Sequence, residues 1–369
     1  MTDRQELRQR VKVLLAELSA IDGVAGHEQA VVARLRDLFD PHAISVEIDT
    51  YGNLDACLNE PNNGPSLMIA AHSDEIGALV KSIEPSGMLR FERVGGLIET
   101  LAIGRHVRIR GLRGVIGVKA GHIQTPDERG RAPAMRELYI DMGFDSAEEV
   151  AALGIRVGDA IAYDEPLEEL ANPLRVSGKA LDNRVSCALL VLLAERLHGQ
   201  QLRCNLHAVV TVQEEVGLRG ARMTANRLKP DAAIIVDTVP SGGTPDVDFH
   251  RDLRMRIGAG PVLALASSGG ASGFLAHPGM RDFLRACAVS AGIAVQEALF
   301  YGGNSDAAVF HQEAGGIPTG VINIARRYSH SPVEMLDLND AVDALLLLEQ
   351  AARTFEGETD LGFLSSEWG

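Results

Sequence analysis

The run Val212-Gln213-Glu214-Glu215-Val216-Gly217-Leu218-Arg219-Gly220-Ala221 sets two adjacent carboxylates at the end of an apolar stretch, His207 to Val212, just where glycines break it. Acids in such a place can move protons or hold a divalent cation. Other stretches repeat the grammar: His72 with Asp74 after Ser66 to Ala71, Asp237 after Ala232 to Val236, and His330 after Ile322 to Tyr328. Asp182, at the start of an apolar helix reaching Leu197, is a further element. Taken singly these are ordinary features: a Glu pair in a surface turn, a His-x-Asp turn, an aspartate capping a loop. Convergence is what argues for a site. In a wound α/β sheet the carboxyl ends of parallel strands meet along one edge, so residues far apart in sequence can share a pocket there. Two His with several Asp and Glu suit borderline cations such as zinc, and carboxylate-rich sets suit pairs of ions. A pair needs one bridging carboxylate, and Asp182 is the choice. Asp74 is placed to accept the second ring N–H of His72 and so fix its tautomer. His106, His122, His198, His207, His250, His277 and His311 lack a strand end with a carboxylate partner and are assigned structural or surface roles.

The elements that would hold these residues follow from periodicity. Leu7, Val11, Leu14, Leu15 and Leu18 recur at helical spacing, and Val31, Val32, Leu35, Leu38 and Phe39 do so in a second helix. Val46 and Ile48 alternate into Tyr51-Gly52-Asn53, a hairpin signal, and Ser66 to Ala71 reads as a buried strand. From Ala78 to Pro173 the texture changes to short alternating strands separated by glycine-rich turns, which predicts a small β insertion. After it come the strand ending on Glu214-Glu215, a helix over Ala221 to Arg227, the strand ending on Asp237, and a long Gly/Pro/Ser-rich passage from Pro240 to Gly279. A helix over Met280 to Ala291, a strand over Ile293 to Ala298, a helix over Asp306 to Glu313 and a strand over Thr319 to Ile324 follow, and Asp337 caps the last helix. The expected fold class is α/β: a mixed central sheet with helices on both faces, formed by residues 1–77 and 174–369, interrupted by a β domain at 78–173.

Composition narrows the partners. A chain of 369 residues with 46% hydrophobic and 23% charged content can bury a sizeable core. Its formal net charge of −15 argues against nucleic acid or an anionic membrane surface and favours peptides, cations or neutral substrates. Cys57, Cys187, Cys204 and Cys287 lie far apart and read as reduced core residues. With no signal-like or membrane-spanning apolar run, the expected location is the cytoplasm.

Together, Ala71-His-Ser-Asp-Glu-Ile-Gly77, Ala180-Leu-Asp-Asn-Arg-Val185, the run from Val212 to Ala221, Ile234-Ile-Val-Asp237 after Pro230-Asp231, and Arg327-Tyr-Ser-His330-Ser331 resemble the glutamyl or deblocking aminopeptidases. These are cobalt/zinc metallopeptidases that assemble into tetrahedral particles, and some were labelled endoglucanases. The resemblance covers nearly the whole chain. It implies that His72, Asp182 and Asp237 hold one metal ion and Asp182, Glu215 and His330 a second, with Glu214 as general base and Asp74 behind His72. It further implies zinc or cobalt, with manganese as a third candidate, peptide substrates cut at the N-terminal residue, and a PDZ-like insert that dimerises. The expected assembly is a homo-oligomer, a dodecamer built from dimers being one form. The chain departs from the family at Gly302-Gly-Asn-Ser-Asp306, where Gly-Gly-Thr-Asp is usual, and in the small-residue stretch Ala266 to Gly273. Two other readings stand beside this one: a metal-free glycoside hydrolase of endoglucanase type using Glu214 and a second acid, and a non-catalytic assembly or peptide-binding protein.

Overall fold

The structure is a computed structural model that describes residues 3–268, 273–357 and 361. Residues 269–272, within the small-residue stretch noted above, lie outside it. Helices α1 (Asp3–Ala20) and α2 (Gln29–Phe39) bury the leucine and valine faces that their spacing predicts. Strands β1 (Ser45–Ile48) and β2 (Leu54–Cys57) form the expected hairpin. Its turn is tied by Asp49, whose Oδ1 accepts the N–H groups of Tyr51 at 2.9 Å, Gly52 at 2.8 Å and Asn53 at 3.0 Å, with Gly52 supplying the φ of +111°. Strand β3 (Ser66–His72) then delivers His72.

The insert follows as β4 (Gly77–Ile83), β5 (Leu89–Val94), β6 (His106–Ile109), β7 (Leu112–Gly117), β8 (Tyr139–Asp141) and β9 (Ala160–Tyr163), which close into a barrel in the order β4-β5-β8-β7-β6-β9. Short helices α3 (Glu99–Ala102), α4 (Pro126–Arg129) and α5 (Ala147–Ala152) lie in its connections. The barrel has a core of its own, built on Val80, Phe91, Val107, Ile109, Ile116, Ile140 and Ile161. Arg108 fastens it to the rest of the molecule, bonding Asp22 Oδ1 at 2.7 Å and the carbonyl of Ala20 at 2.9 Å.

The chain returns through β10 (Glu168–Glu169), β11 (Arg175–Gly178), α6 (Leu181–Leu197), β12 (Asn205–Thr211), α7 (Arg219–Leu228) and β13 (Ala232–Pro240). Then come β14 (Val262–Ser267), β15 (Phe274–Leu275), α8 (Pro278–Ala291), β16 (Gln296–Phe300), α9 (Ala307–Phe310), β17 (Thr319–Arg327), β18 (Glu334–Asp337) and α10 (Leu338–Thr354). The main sheet runs β1-β2-β12-β3-β13-β17-β18-β11-β10, with β14 to β16 attached beside β17. Strands β12, β3, β13 and β17 are mutually parallel and the flanking strands antiparallel, which makes the sheet mixed.

Alternation along the parallel strands sorts the two faces. Leu67, Ile69 and Ala71, with Ile234, Val236, Ile322 and Ile324, face the core shared with α1, α2, α6, α8 and α10. Met68, Ala70, Ala233, Ile235 and Val321 face the core under α7 and α9. By the same parity His72 and Asp237 leave the sheet on this second face, at its carboxyl edge.

Five expectations are corrected. Asp237 does not end its strand: β13 continues to Pro240 and pairs with β17 as far as Arg326, so the polar Asp237-Thr238 pair is buried in the sheet. The passage from Pro240 to Gly279 is not a single loop, since β14 and β15 lie inside it. Strand β16 begins three residues later than the predicted Ile293, and the helix expected over Asp306 to Glu313 is the four residues of α9. Finally, Asp182 and Asn183, at the entry of α6, carry non-helical φ/ψ values and are joined by a cis peptide bond.

Candidate metal centre

The seven residues singled out by spacing meet at the carboxyl edge of the parallel strands. His72 Nε2 lies 3.3 Å from Asp182 Oδ1 and 3.6 Å from Asp237 Oδ1. His330 Nε2 lies 3.6 Å from both Asp182 Oδ2 and Glu215 Oε1. The donor atoms of His72, Asp182 and Asp237 fall within 4.8 Å of one another, as do those of Asp182, Glu215 and His330, so each set has the layout to hold a cation. Asp182 belongs to both. Its Oδ1 is buried and makes no hydrogen bond among the described residues, an open lone pair that a cation would satisfy. Glu214 is buried beside these sets and lines the same cavity, of about 710 Å³.

Hydrogen bonds hold the donors. Asp74 accepts the backbone N–H of Glu214 at 3.0 Å and that of Glu215 at 3.0 Å, which fixes the turn carrying both acids. Its part in orienting His72 differs from the expectation: His72 Nδ1 bonds the main-chain carbonyl of Asp74 at 3.2 Å, with the carboxylate at 3.5 Å. A carbonyl only accepts, so Nδ1 carries the proton and Nε2 faces the donor set. His330 is oriented the same way, its Nδ1 donating to the carbonyl of Gly96 at 3.2 Å.

Gly96 belongs to the loop after β5, so the barrel side supplies that contact. A Cβ at Gly96 would stand 2.2 Å from His330 Nδ1. Gly96→Ala is therefore expected to displace the ring and halve the bound metal, a loss that inductively coupled plasma mass spectrometry would read directly. Full metal content in the variant would contradict this.

Spacing missed three buried residues here. Glu334 Oε1 accepts the N–H of His330 at 2.9 Å and its Oε2 that of Asp182 at 3.0 Å, clamping two donor residues much as Asp74 clamps Glu214 and Glu215. Arg326, the first of two adjacent arginines, is 3% exposed and bonds Asp182 Oδ2 and Glu334. Asp306 accepts the hydroxyl of Thr211, within the apolar lead-in to the Glu-Glu turn, at 2.5 Å. Only Asp306 had a signal, as the acid of the Gly302 to Asp306 run.

Crowded carboxylates raise proton affinity. Burial drives Glu214 well above the usual range; His72 pulls it back, and Glu215 and Asp237 push it further up. Burial, reinforced by Asp182, pushes Glu215 up to about 8, and burial takes Asp306 to about 7. For His330 burial opposes the charge, but Asp182 and Glu215 outweigh it and raise the ring to about 9. Asp182 goes the other way: burial resists ionisation, yet Arg326, His330 and His72 hold it well below the ordinary value.

A pH dependence of stability follows for protein stripped of metal. Glu215 keeps a proton in the folded state from about pH 4.3, where the unfolded chain releases it, to about 8; His330 does so between about 6.5 and 9. In both windows the folded state binds more protons, so stability falls as pH rises. Chelator-treated protein should melt progressively lower from pH 5 to pH 9 in scanning calorimetry, and a flat or rising profile would refute the assignment.

Acids packed this tightly around two imidazoles at the carboxyl edge of a mixed sheet are what metal-dependent hydrolases use to gather cations, and fold and site together define that class. The comparisons carry the identification further: a family profile described as M42 glutamyl aminopeptidase matches residues 52–347. The glutamyl aminopeptidase of Lactococcus lactis subsp. cremoris (strain MG1363) is 31% identical over 93% of this chain and 95% of its own. An aminopeptidase from the archaeon Desulfurococcus kamchatkensis superposes with a TM-score of 0.91 at 33% identity, covering 98% of this chain and 99% of its own. The TET1 peptidase of Pyrococcus horikoshii, which can assemble into a tetrahedron or a large octahedral shell, has a TM-score of 0.81 at 28% identity, covering 95% of this chain and 100% of its own. The chain belongs to the M42 glutamyl aminopeptidase family and is an aminopeptidase of that metallopeptidase group. With that, the glycosidase and non-catalytic readings are set aside. All four cysteines are free, and among the described residues no helix is long and apolar enough to cross a membrane.

Proposed function

We propose that this enzyme removes the N-terminal residue of peptides with two divalent cations and Glu214 as general base. The carrying observation is the pair of donor sets that share Asp182 while Glu214 stands outside both. His72, Asp182 and Asp237 would hold one ion, and Asp182, Glu215 and His330 the other. Nitrogen and carboxylate donors without thiolate suit zinc, cobalt or manganese. Bound there, the ions supply Lewis acidity to a substrate carbonyl and lower the pKa of water.

The chain's own residues do the rest. Glu214 receives a proton from the attacking water at its carboxylate and returns it to the leaving amine. Burial, with Glu215 and Asp237 nearby, gives that carboxylate the proton affinity a base needs. Asp74 keeps Glu214 aimed through the backbone bond. The cavity, walled by Phe274, Phe300, Val309 and Leu218, takes the first side chain and the residues after it. Residues 78–173 act as a dimerisation domain in a homo-oligomer, for which the assembly of the Pyrococcus horikoshii relative is the support.

The test is hydrolysis of a panel of aminoacyl chromogenic amides by metal-loaded enzyme beside a chelator-treated sample. Turnover that disappears with the metal and returns on its addition is the expected result. Silence on every amide, with two ions bound, would overturn the proposal.

A further inference from the structure

Resting on the two-ion reading above, we propose that Arg326 is a resident cation of the second donor set, and that it makes the ion held by Asp182, Glu215 and His330 the weaker and more readily exchanged of the two. The oxygens of Asp182 are not equivalent. Oδ1 faces His72 Nε2 at 3.3 Å and accepts no hydrogen bond among the described residues. Oδ2 faces His330 Nε2 at 3.6 Å and already accepts Arg326 Nη2. The shared carboxylate thus offers a free oxygen to one set and a guanidinium-capped oxygen to the other.

Arg326 has little freedom to withdraw. Its Nε bonds Thr238 Oγ1 at 2.6 Å, its Nη1 bonds Glu334 Oε1 at 2.7 Å as well as Ser329 Oγ, and the side chain is buried at 3% exposure. Glu334 is tied in turn to the backbone of Asp182 and His330. Swinging the guanidinium out would forfeit its buried bonds to Thr238 and Glu334. Arginine stays charged at any working pH, so it cannot make room by losing a proton. A fixed positive charge one hydrogen bond from a ligand oxygen opposes a dication there, and at an effective dielectric near 20 the repulsion is worth more than tenfold in affinity. The guanidinium's hydrogen bond to a candidate ligand falls on Oδ2, the oxygen facing the second set, while Asp237 of the first set feels the charge without such a bond, so the effect is unequal.

The experiment is calorimetric titration of chelator-stripped full-length protein with zinc against a competing chelator, for the wild type and for Arg326→Gln and Arg326→Lys. His72→Ala and His330→Ala assign the events, and melting curves confirm folding. The wild type is expected to bind two ions with unequal constants, His330→Ala deleting the weaker event and His72→Ala the tighter. Arg326→Gln should tighten the weaker event by tenfold or more and leave the other within about threefold, while Arg326→Lys, which keeps the charge, stays near the wild type. A weaker event unchanged or loosened in Arg326→Gln, or one deleted by His72→Ala, overturns the inference alone. Fewer than two ions in the wild type overturns the two-ion reading and the inference with it.

Discussion

Glu214→Gln is expected to lower kcat by roughly 10²–10⁴-fold while both ions stay bound, because general acid–base work contributes about that much and Glu214 belongs to neither donor set. The substitution is close to isosteric. It keeps the backbone N–H that Asp74 holds at 3.0 Å, so the turn and Glu215 beside it should not move. It also removes a buried acid from a crowded group of acids, so the variant should melt no lower than the parent. KM should change little, because the role assigned to Glu214 is proton transfer and not ground-state binding. Steady-state kinetics on the best amide of the panel, read beside metal content, decides the matter. Activity within tenfold of the parent, or an ion lost with the carboxylate, would remove Glu214 from the base position.

Asp182→Asn should be the most damaging single change, because it weakens both donor sets at once. His72→Ala and His330→Ala each subtract from one set only, so each should retain part of the metal, whereas Asp182→Asn should purify with less than one ion per chain. A second consequence is structural. Arg326 loses one of its two buried carboxylate partners and keeps Glu334 Oε1 at 2.7 Å, so the cost should be a fraction of the roughly 3–5 kcal/mol that stranding a buried charge typically carries. The metal-free variant should therefore melt below the metal-free parent, which separates this change from one that merely weakens binding. Two ions retained per chain would show that Asp182 is not shared.

The residues proposed to carry metal and proton chemistry were legible because most of them stand at or near the end of an apolar run, and a parallel sheet brings such ends together. His72, Glu214, Glu215, Asp237 and His330 follow from that rule, and Asp182 from its place at the start of an apolar helix. Arg326 and Glu334 do not. An arginine beside a second arginine, and a glutamate four residues after a histidine, look like surface charges in one dimension; only burial against each other and against Asp182 reveals them. Strand β14 was hidden for a related reason. It is six residues long, flanked by glycine and serine, and held by antiparallel pairing to β17 and parallel pairing to β16, all long-range contacts with no local signature. In the same way the polar pair Asp237-Thr238 looks like a strand terminus, because a sequence does not show that β17 continues alongside.

The carbonyl of Gly96 bears on how such a chain can evolve and be engineered. Insertions in loops are commonly separable modules, trimmed or exchanged without touching the host's chemistry. Here the first long loop of the insert decides which nitrogen of His330 carries the proton. Excising residues 78–173 behind a short linker would keep the parallel strands β12, β3, β13 and β17 and every donor side chain, yet leave that imidazole free to rotate and change tautomer. The barrel is thus no longer dispensable cargo, and sequence drift within it is bounded at the turn that touches the imidazole.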